Sequence, residues 1–352
     1  MIASRDTPSV AAIDLRSDFL VRPSPQALAA MQEAARQSSA FGLREDGRQR
    51  ALEARVACLL GKEDALVFPT CTMANQVAVA LHTRPGDIVL TPYAAHAATS
   101  EAGAAAALSG VRVVELPGSE PAPAPATWAA CLGPADEQRS RVTLFIVENT
   151  HNRAGGIPNP PGYNLLLAEL AGSHGIRMHL DGARLLHAAV ALDTPPAALA
   201  AGFDTVAISL NKGLGGMIGA ALAGSREAIA RALMLRQRMG GGLRAIGPFA
   251  AGTEVALGEW RSLAGDHRRA ERLASGLSAI PGLTVLGAEP RTTIVVLQSD
   301  VAASSMCAVL ADRGVLGIPF GANRIRLVVH RDIDDDAIIR VIAAARDGFA
   351  AG

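Results

Sequence analysis

Hydrophobic and polar positions fall into two alternating periods along the chain. Ser24-Pro25 pairs a capping hydroxyl with a proline suited to a first helical turn, and Ala27, Leu28, Met31, Ala34 and Ala35 then recur at helical spacing, so a helix is expected over 25–37. Leu52, Val56, Leu59 and Leu60 share one face of a second helix, and Gly61 ends it because glycine enters the left-handed region without penalty. Short β-rich runs follow at 65–68, 87–90, 111–116, 142–148, 176–181 and 205–210, with helical stretches between them. Strands covered on both faces read as such unbroken apolar runs, so the alternation predicts a parallel sheet flanked by helices. The Pro/Ala-rich stretch 117–126 is a surface connector, since the alternation resumes after it. Past about residue 250 long helices surround the runs LTVLG, TTIVVLQ and IRLVVH, and an acid-started helix from Asp334 closes the chain.

Length agrees with that change of pattern. The chain has 352 residues, and single cores stop growing near 250–300 residues, so a large domain over 14–249 and a smaller one over 250–352 are expected, with the N-terminal segment packed near the latter. Lys+Arg and Asp+Glu both total 33, which leaves no basic footprint for nucleic acid or anionic lipid. The chain is 49% hydrophobic, yet no apolar run reaches the ~20 residues a bilayer requires, and no membrane association is expected. Cys58, Cys71, Cys131 and Cys307 lack metal-ligand spacing, and the N-terminus lacks the apolar centre of a secretory signal. A reduced, cytoplasmic protein without a bound metal is the expectation.

Only two of the 33 basic residues are lysines, Lys62 and Lys212. A chain that uses arginine almost everywhere keeps lysine where an ammonium that can lose its proton is needed. Lys62 follows Gly61, where a solvated cation near a helix end suffices. Lys212 follows the run TVAISL, and ligand sites of open α/β sheets form at such carboxyl ends. It is either a surface lysine or an amine nucleophile. Asp181 ends the run IRMHLD; it can cap the next helix or, with Lys212, hold pyridoxal phosphate, the carboxylate at the ring nitrogen and the lysine at the aldehyde carbon. PTCTMANQ at 69–76 opens a helix after a strand, where Thr70 and Thr72 serve as caps or as part of a phosphate cup. His96 and His151 also follow strands, whereas His82, His174, His187 and His267 lie in helical stretches.

These residues resemble the threonine aldolase branch of the pyridoxal-phosphate enzymes. The likeness runs through DLRSD at 14–18, TMANQ, ENTHNRAGG at 148–156, HLDGARL at 179–185, LNKGLGG at 210–216, MGGGLRAIG at 239–247 and RLVVHRDI at 326–333. It implies an aspartate-aminotransferase-like α/β fold (fold type I), with a mostly parallel seven-stranded sheet in a large domain and a smaller α+β C-terminal domain. It further implies cleavage of a 3-hydroxy-α-amino acid of the threonine, allo-threonine or phenylserine type to glycine and an aldehyde. In that reading Lys212 binds pyridoxal 5′-phosphate covalently, Asp181 pairs with the ring nitrogen and His96 stacks on the ring. Thr70, Cys71 and Thr72 hold the phosphate, helped by Arg244 from a neighbouring subunit of a homodimer or homotetramer. Ser17, Arg184 and Arg326 take the substrate carboxylate and the ring-oxygen region, and His151 lies with His96 near the β-hydroxyl.

Four positions depart from the family pattern: Phe19 where threonine is usual, Phe41 for a tyrosine, Asn211 for a serine, and Cys71 for a glycine, where a left-handed backbone would be strained. Other reactions at the same α-carbon (racemisation, β-elimination, transaldol chemistry) are the alternatives, and a non-catalytic binding relative is the alternative from another class. GLGGMIG at 213–219 resembles a dinucleotide loop superficially, but the acidic residue expected ~20 positions on is missing.

Overall fold

The computed structural model describes residues 12–37, 40–133, 138–287, 289 and 291–349. Its centre is a seven-stranded sheet built from β1 (Asp64–Phe68), β2 (Ile88–Thr91), β3 (Arg112–Glu115), β4 (Val142–Glu148), β5 (Arg177–Gly182), β6 (Thr205–Ser209) and β7 (Ala220–Gly224), in the order β1-β7-β6-β5-β4-β2-β3. Only β7 runs against the others, pairing antiparallel with both β1 and β6. The six apolar runs of the sequence are the six parallel strands. The seventh strand has no such signature: Ala-Ala-Leu-Ala-Gly holds no β-branched or aromatic residue, and it is a strand because two neighbours pair with it along its whole length.

Three early helices bear directly on the site. In α1 (Pro25–Ala35) the first turn is capped by Ser24 Oγ, which accepts the N–H of Ala27 at 3.2 Å. The next, α2 (Gly47–Leu60), is capped by Asp46 and stopped by Gly61 at φ 63°. Directly after β1 comes α3 (Cys71–His82), capped by Thr70 Oγ1, which accepts the N–H of Met73. Lys62 is not a solvated cation, because its Nζ donates to the carbonyl of Phe203 at 2.6 Å and ties the end of α2 to the strand edge.

A second, antiparallel sheet is formed by Thr284–Leu286, Ile294–Gln298, Ile318–Pro319 and Arg324–Val328. Its core gathers Leu273, Leu277, Val295, Leu297, Ile325, Leu327 and Ile338, and it takes in Ile13 and Leu15 from the N-terminal segment. Ile13–Asp14 pairs in parallel with Val315–Leu316, and the chain leaves that pairing directly toward the edge of the large sheet. The core of the large sheet includes Ala250, Leu257 and Leu263, while Ala270 belongs to the second core, so the apolar cores change over within the helix Leu263–Ser278.

Candidate active site

Five of the parallel strands deliver side chains to one edge of the large sheet. β1 leads to Cys71, β2 to His96, β4 to Glu148 and Thr150, β5 to Asp181 and β6 to Lys212. Above that edge lies a cavity of about 230 Å³, to which the N-terminal segment adds Ser17 and Phe19 and the second sheet adds Phe320 and Arg326. Cys71, His96, Asp181, Arg184 and Lys212 all line it.

The lysine loop is fixed by a serine at the end of β6. Ser209 Oγ donates to Asn211 Oδ1 at 2.6 Å and accepts the N–H of Lys212 at 3.1 Å. The Lys212 amine makes no hydrogen bond among the described residues, and it lies 5.1 Å from the centroid of the Phe19 ring. The loop closes on the start of α3 at Gly219, where a Cβ would stand 1.9 Å from the carbonyl oxygen of Pro69, so no other residue fits.

At the start of α3 the Thr70 hydroxyl is used as the cap, and neither Thr70 nor Thr72 lines the cavity. The N–H groups of Cys71 and Thr72 have no partner among the described residues. Together with the helix dipole they are able to hold an anion at the sheet edge. Cys71 is the first residue of the helix and has no positive φ. The strain expected for a side chain at this position is absent.

Asp181 is buried and holds two donors: Asn75 Nδ2 at 2.8 Å on Oδ2 and the N–H of Ala183 at 3.2 Å on Oδ1. His96 keeps Nδ1 against Glu101 Oε1 at 2.9 Å, and its backbone N–H donates to Glu148 Oε2 at 2.9 Å. Burial works to lower the His96 pKa, but the Glu101 hydrogen bond and the Asp181 charge outweigh it and hold the imidazole above its ordinary value.

Two buried arginines face the other side. Arg184 is clamped by Asp18 and reaches Asn152 Oδ1 with Nη1 at 3.3 Å. Arg326 donates from Nη1 to the same Asn152 Oδ1 at 2.8 Å and from Nη2 to the Arg16 carbonyl at 3.2 Å, while its Nε is buried without a partner. No carboxylate among the described residues pairs with Arg326; burial and the neighbouring Arg184 cation push its pKa down to about 10. A buried guanidinium that lines a cavity in that condition can accept an anion.

Two expected site residues stand elsewhere. His151 is buried with both ring nitrogens engaged: Nδ1 accepts the N–H of Ala154 at 3.2 Å and Nε2 faces the Tyr93 carbonyl at 3.1 Å. The turn between His151 and Ile157, closed by two backbone hydrogen bonds, fixes the ring there and not in the cavity of this chain. Arg244 is exposed, donates to the Phe41 carbonyl and stacks on the Phe41 ring at 4.9 Å. It does not reach the cavity of its own chain. Asp18, Asn75, Glu101, Glu148 and Asn152 were missed as site residues, although all but Glu101 sit inside the motifs DLRSD, TMANQ and ENTHN.

An amine without a partner, a buried carboxylate at a strand end, an open helix N-terminus and a half-buried imidazole match the groups that bind a phosphorylated pyridine aldehyde. The beta-eliminating lyase family profile matches residues 14–300. The chain is 36% identical over 336 residues to a probable low-specificity L-threonine aldolase 2 of Arabidopsis thaliana, covering 93% of this chain and 94% of that one. It is 33% identical over 334 residues to the low specificity L-threonine aldolase of Escherichia coli K12, covering 94% and 97%. In fold it superposes on a threonine aldolase structure from Leishmania major with a TM-score of 0.83 at 23% identity, covering 95% of this chain and 99% of that one.

Proposed function

The chain belongs to the beta-eliminating lyase family, and from that premise we propose that it is a pyridoxal 5′-phosphate-dependent aldehyde-lyase that cleaves 3-hydroxy-α-amino acids of the threonine or phenylserine type to glycine and an aldehyde. The observation that carries this reading is the convergence of an unpartnered Lys212 amine, a buried Asp181 carboxylate and a buried Arg326 guanidinium without a carboxylate around one cavity. Lys212 would hold the cofactor's aldehyde carbon, Asp181 its ring nitrogen, the N–H groups of Cys71 and Thr72 its phosphate, and His96 one face of the ring. When bound, the cofactor supplies an electron sink conjugated to the substrate's α-carbon.

The chain's own groups do the rest. Arg326, with Arg184 held beside it by Asn152, would take the substrate carboxylate and so orient the α-carbon. Ser17 lies on the same wall. His96, whose Nε2 has no protein partner among the described residues, takes the proton of the β-hydroxyl as the Cα–Cβ bond breaks. The aldehyde leaves, and a proton returned to the α-carbon completes glycine. Among the described residues no helix is long and apolar enough to cross a membrane; a cytoplasmic enzyme is in keeping with that. We further propose a homodimer or homotetramer in which Arg244 supports the phosphate of a neighbouring subunit.

Borohydride reduction of the protein loaded with pyridoxal phosphate tests the site. The modified peptide is expected to contain Lys212, with the Lys212→Ala variant giving neither adduct nor glycine from threonine. An adduct at Lys62, the other lysine, would overturn the assignment.

A further inference from the structure

Asn75 sits near the start of α3 and spends both of its side-chain hydrogens on buried carboxylates, Asp181 Oδ2 and Glu101 Oε1, each at 2.8 Å. Turning this amide over would set its carbonyl against two anions, so its orientation is fixed. Its Oδ1 therefore faces His179 Nε2 at 3.1 Å as the acceptor, and that nitrogen must carry the hydrogen. His179 Nδ1 then accepts from Thr205 Oγ1 at 2.9 Å, and Thr205 Oγ1 in turn accepts from His82 Nε2 at 3.0 Å. Burial keeps both histidines neutral, each pushed down to about 4. His179 Nδ1 also lies 3.2 Å from the Thr205 carbonyl, and both hydrogens of the Asn75 amide point to Asp181 and Glu101.

Glu101 receives two further donors. Gln76 Nε2 donates to Oε2 at 2.5 Å, and His96 Nδ1 stands 2.9 Å from Oε1. An ionised carboxylate offers only lone pairs, so the hydrogen between Glu101 and His96 lies on Nδ1. Atoms of His96, Glu101 and Asp181 lie within 4.8 Å of one another.

We propose that Glu101 is a positioning residue for His96: by accepting the Nδ1 hydrogen it fixes the tautomer, leaves the Nε2 lone pair to the cavity and makes that nitrogen the base for the substrate's β-hydroxyl. The identity of that proton rests on the aldolase reading, whereas the tautomer does not. The charged groups facing the ring are Glu101 from the segment after its own short helix, Asp181 from β5, Lys212 after β6 and Glu148 at the end of β4. Glu101 and Asp181 favour the imidazolium, burial and the lysine oppose it, and Glu148 meets only the backbone N–H of His96. Glu101 makes direct contact with a ring nitrogen and so decides the balance.

Glu101→Gln removes the charge and keeps the shape. The new amide hydrogens find an acceptor in Gln76 Oε1, which is buried without a partner, once Gln76 turns over. Nitrogen NMR of the histidine-labelled, cofactor-loaded full chain is expected to show neutral His96 with its hydrogen on Nδ1 in the wild type. In Glu101→Gln the His96 pKa is expected to fall by about one unit or more, the scale of a lost adjacent charge, and Glu101→Asp to recover most of the shift. The acid limb of the pH profile of glycine release should move down with it. A wild-type hydrogen on Nε2, measured without any variant, or a His96 titration unchanged in Glu101→Gln, would overturn the proposal. Titration shifted as expected with no glycine from any 3-hydroxy amino acid would leave the positioning role supported and overturn the assignment of His96 as the β-hydroxyl base together with the aldolase reading.

Discussion

Asp18 and Arg184, 166 positions apart, meet through two parallel hydrogen bonds of 2.7 Å, Nε to Oδ2 and Nη2 to Oδ1. Both are buried. Burial alone would raise the Asp18 pKa, but the Arg184 guanidinium holds it well below the usual carboxylate range. The carbonyl of Asp18 also accepts the N–H of Gly213 at 3.0 Å, next to Lys212. One residue of the N-terminal segment thus joins an arginine of the carboxylate wall to the lysine loop.

Removing that carboxylate leaves a buried cation uncompensated. Asp18→Ala is expected to lose about 3–5 kcal/mol of stability, measured from denaturant unfolding midpoints. An unchanged midpoint would mean that water replaces the pair without cost.

Arg326 lines the cavity and pairs with no carboxylate among the described residues. Charge-assisted hydrogen bonds contribute about 1.5–3 kcal/mol, so Arg326→Leu is expected to raise KM for a 3-hydroxy amino acid about 10- to 150-fold. Pyridoxal phosphate binding, followed by its absorbance, should change far less. A normal KM with lost cofactor would move Arg326 out of the carboxylate site.

Acid should destabilise the fold through its buried histidines, offset in part by Asp266, which burial raises to about 6 so that it takes up a proton in the folded state over the same window. His82, His179 and His267 are pushed down to about 4 and His187 to about 3, each chiefly by burial. In the unfolded chain these groups protonate near 6.5. Between those values the unfolded state binds more protons than the folded state, so stability falls as pH drops from about 6.5 toward 4, by up to about 1.4 kcal/mol per pH unit for each histidine. Asp18 adds a loss only as pH falls toward and below about 4, where the same carboxylate in the unfolded chain begins to protonate. Thermal unfolding at pH 7 and pH 5 checks this, and equal midpoints would contradict it.

The parallel strands were legible in the sequence because burial on both faces writes itself as unbroken apolar runs, and Lys212 and Asp181 because they follow such runs. The strand Ala220–Gly224 was not, since alanine and glycine carry no strand preference and only pairing with its neighbours specifies it. Glu101 follows no strand directly; it is a local neighbour of His96, five residues on, but only the fold brings it against Asn75. Phe19 was noted as a departure, and its ring lies beside the Lys212 amine. His151 shows the opposite failure: a strand-end position aims a residue at the rim, but the turn closed onto Ile157 points its ring elsewhere.

Which bond of the α-carbon breaks is the central question, and one time course answers it. The protein loaded with pyridoxal phosphate is incubated in deuterated water with threonine, allo-threonine and phenylserine in turn, and glycine, aldehyde and α-deuterium are measured together. Glycine and aldehyde are expected in equal amounts, with one solvent deuterium on each glycine formed and neither product from Lys212→Ala. Rapid α-deuteration of alanine with no glycine from any of the three substrates would contradict aldol cleavage.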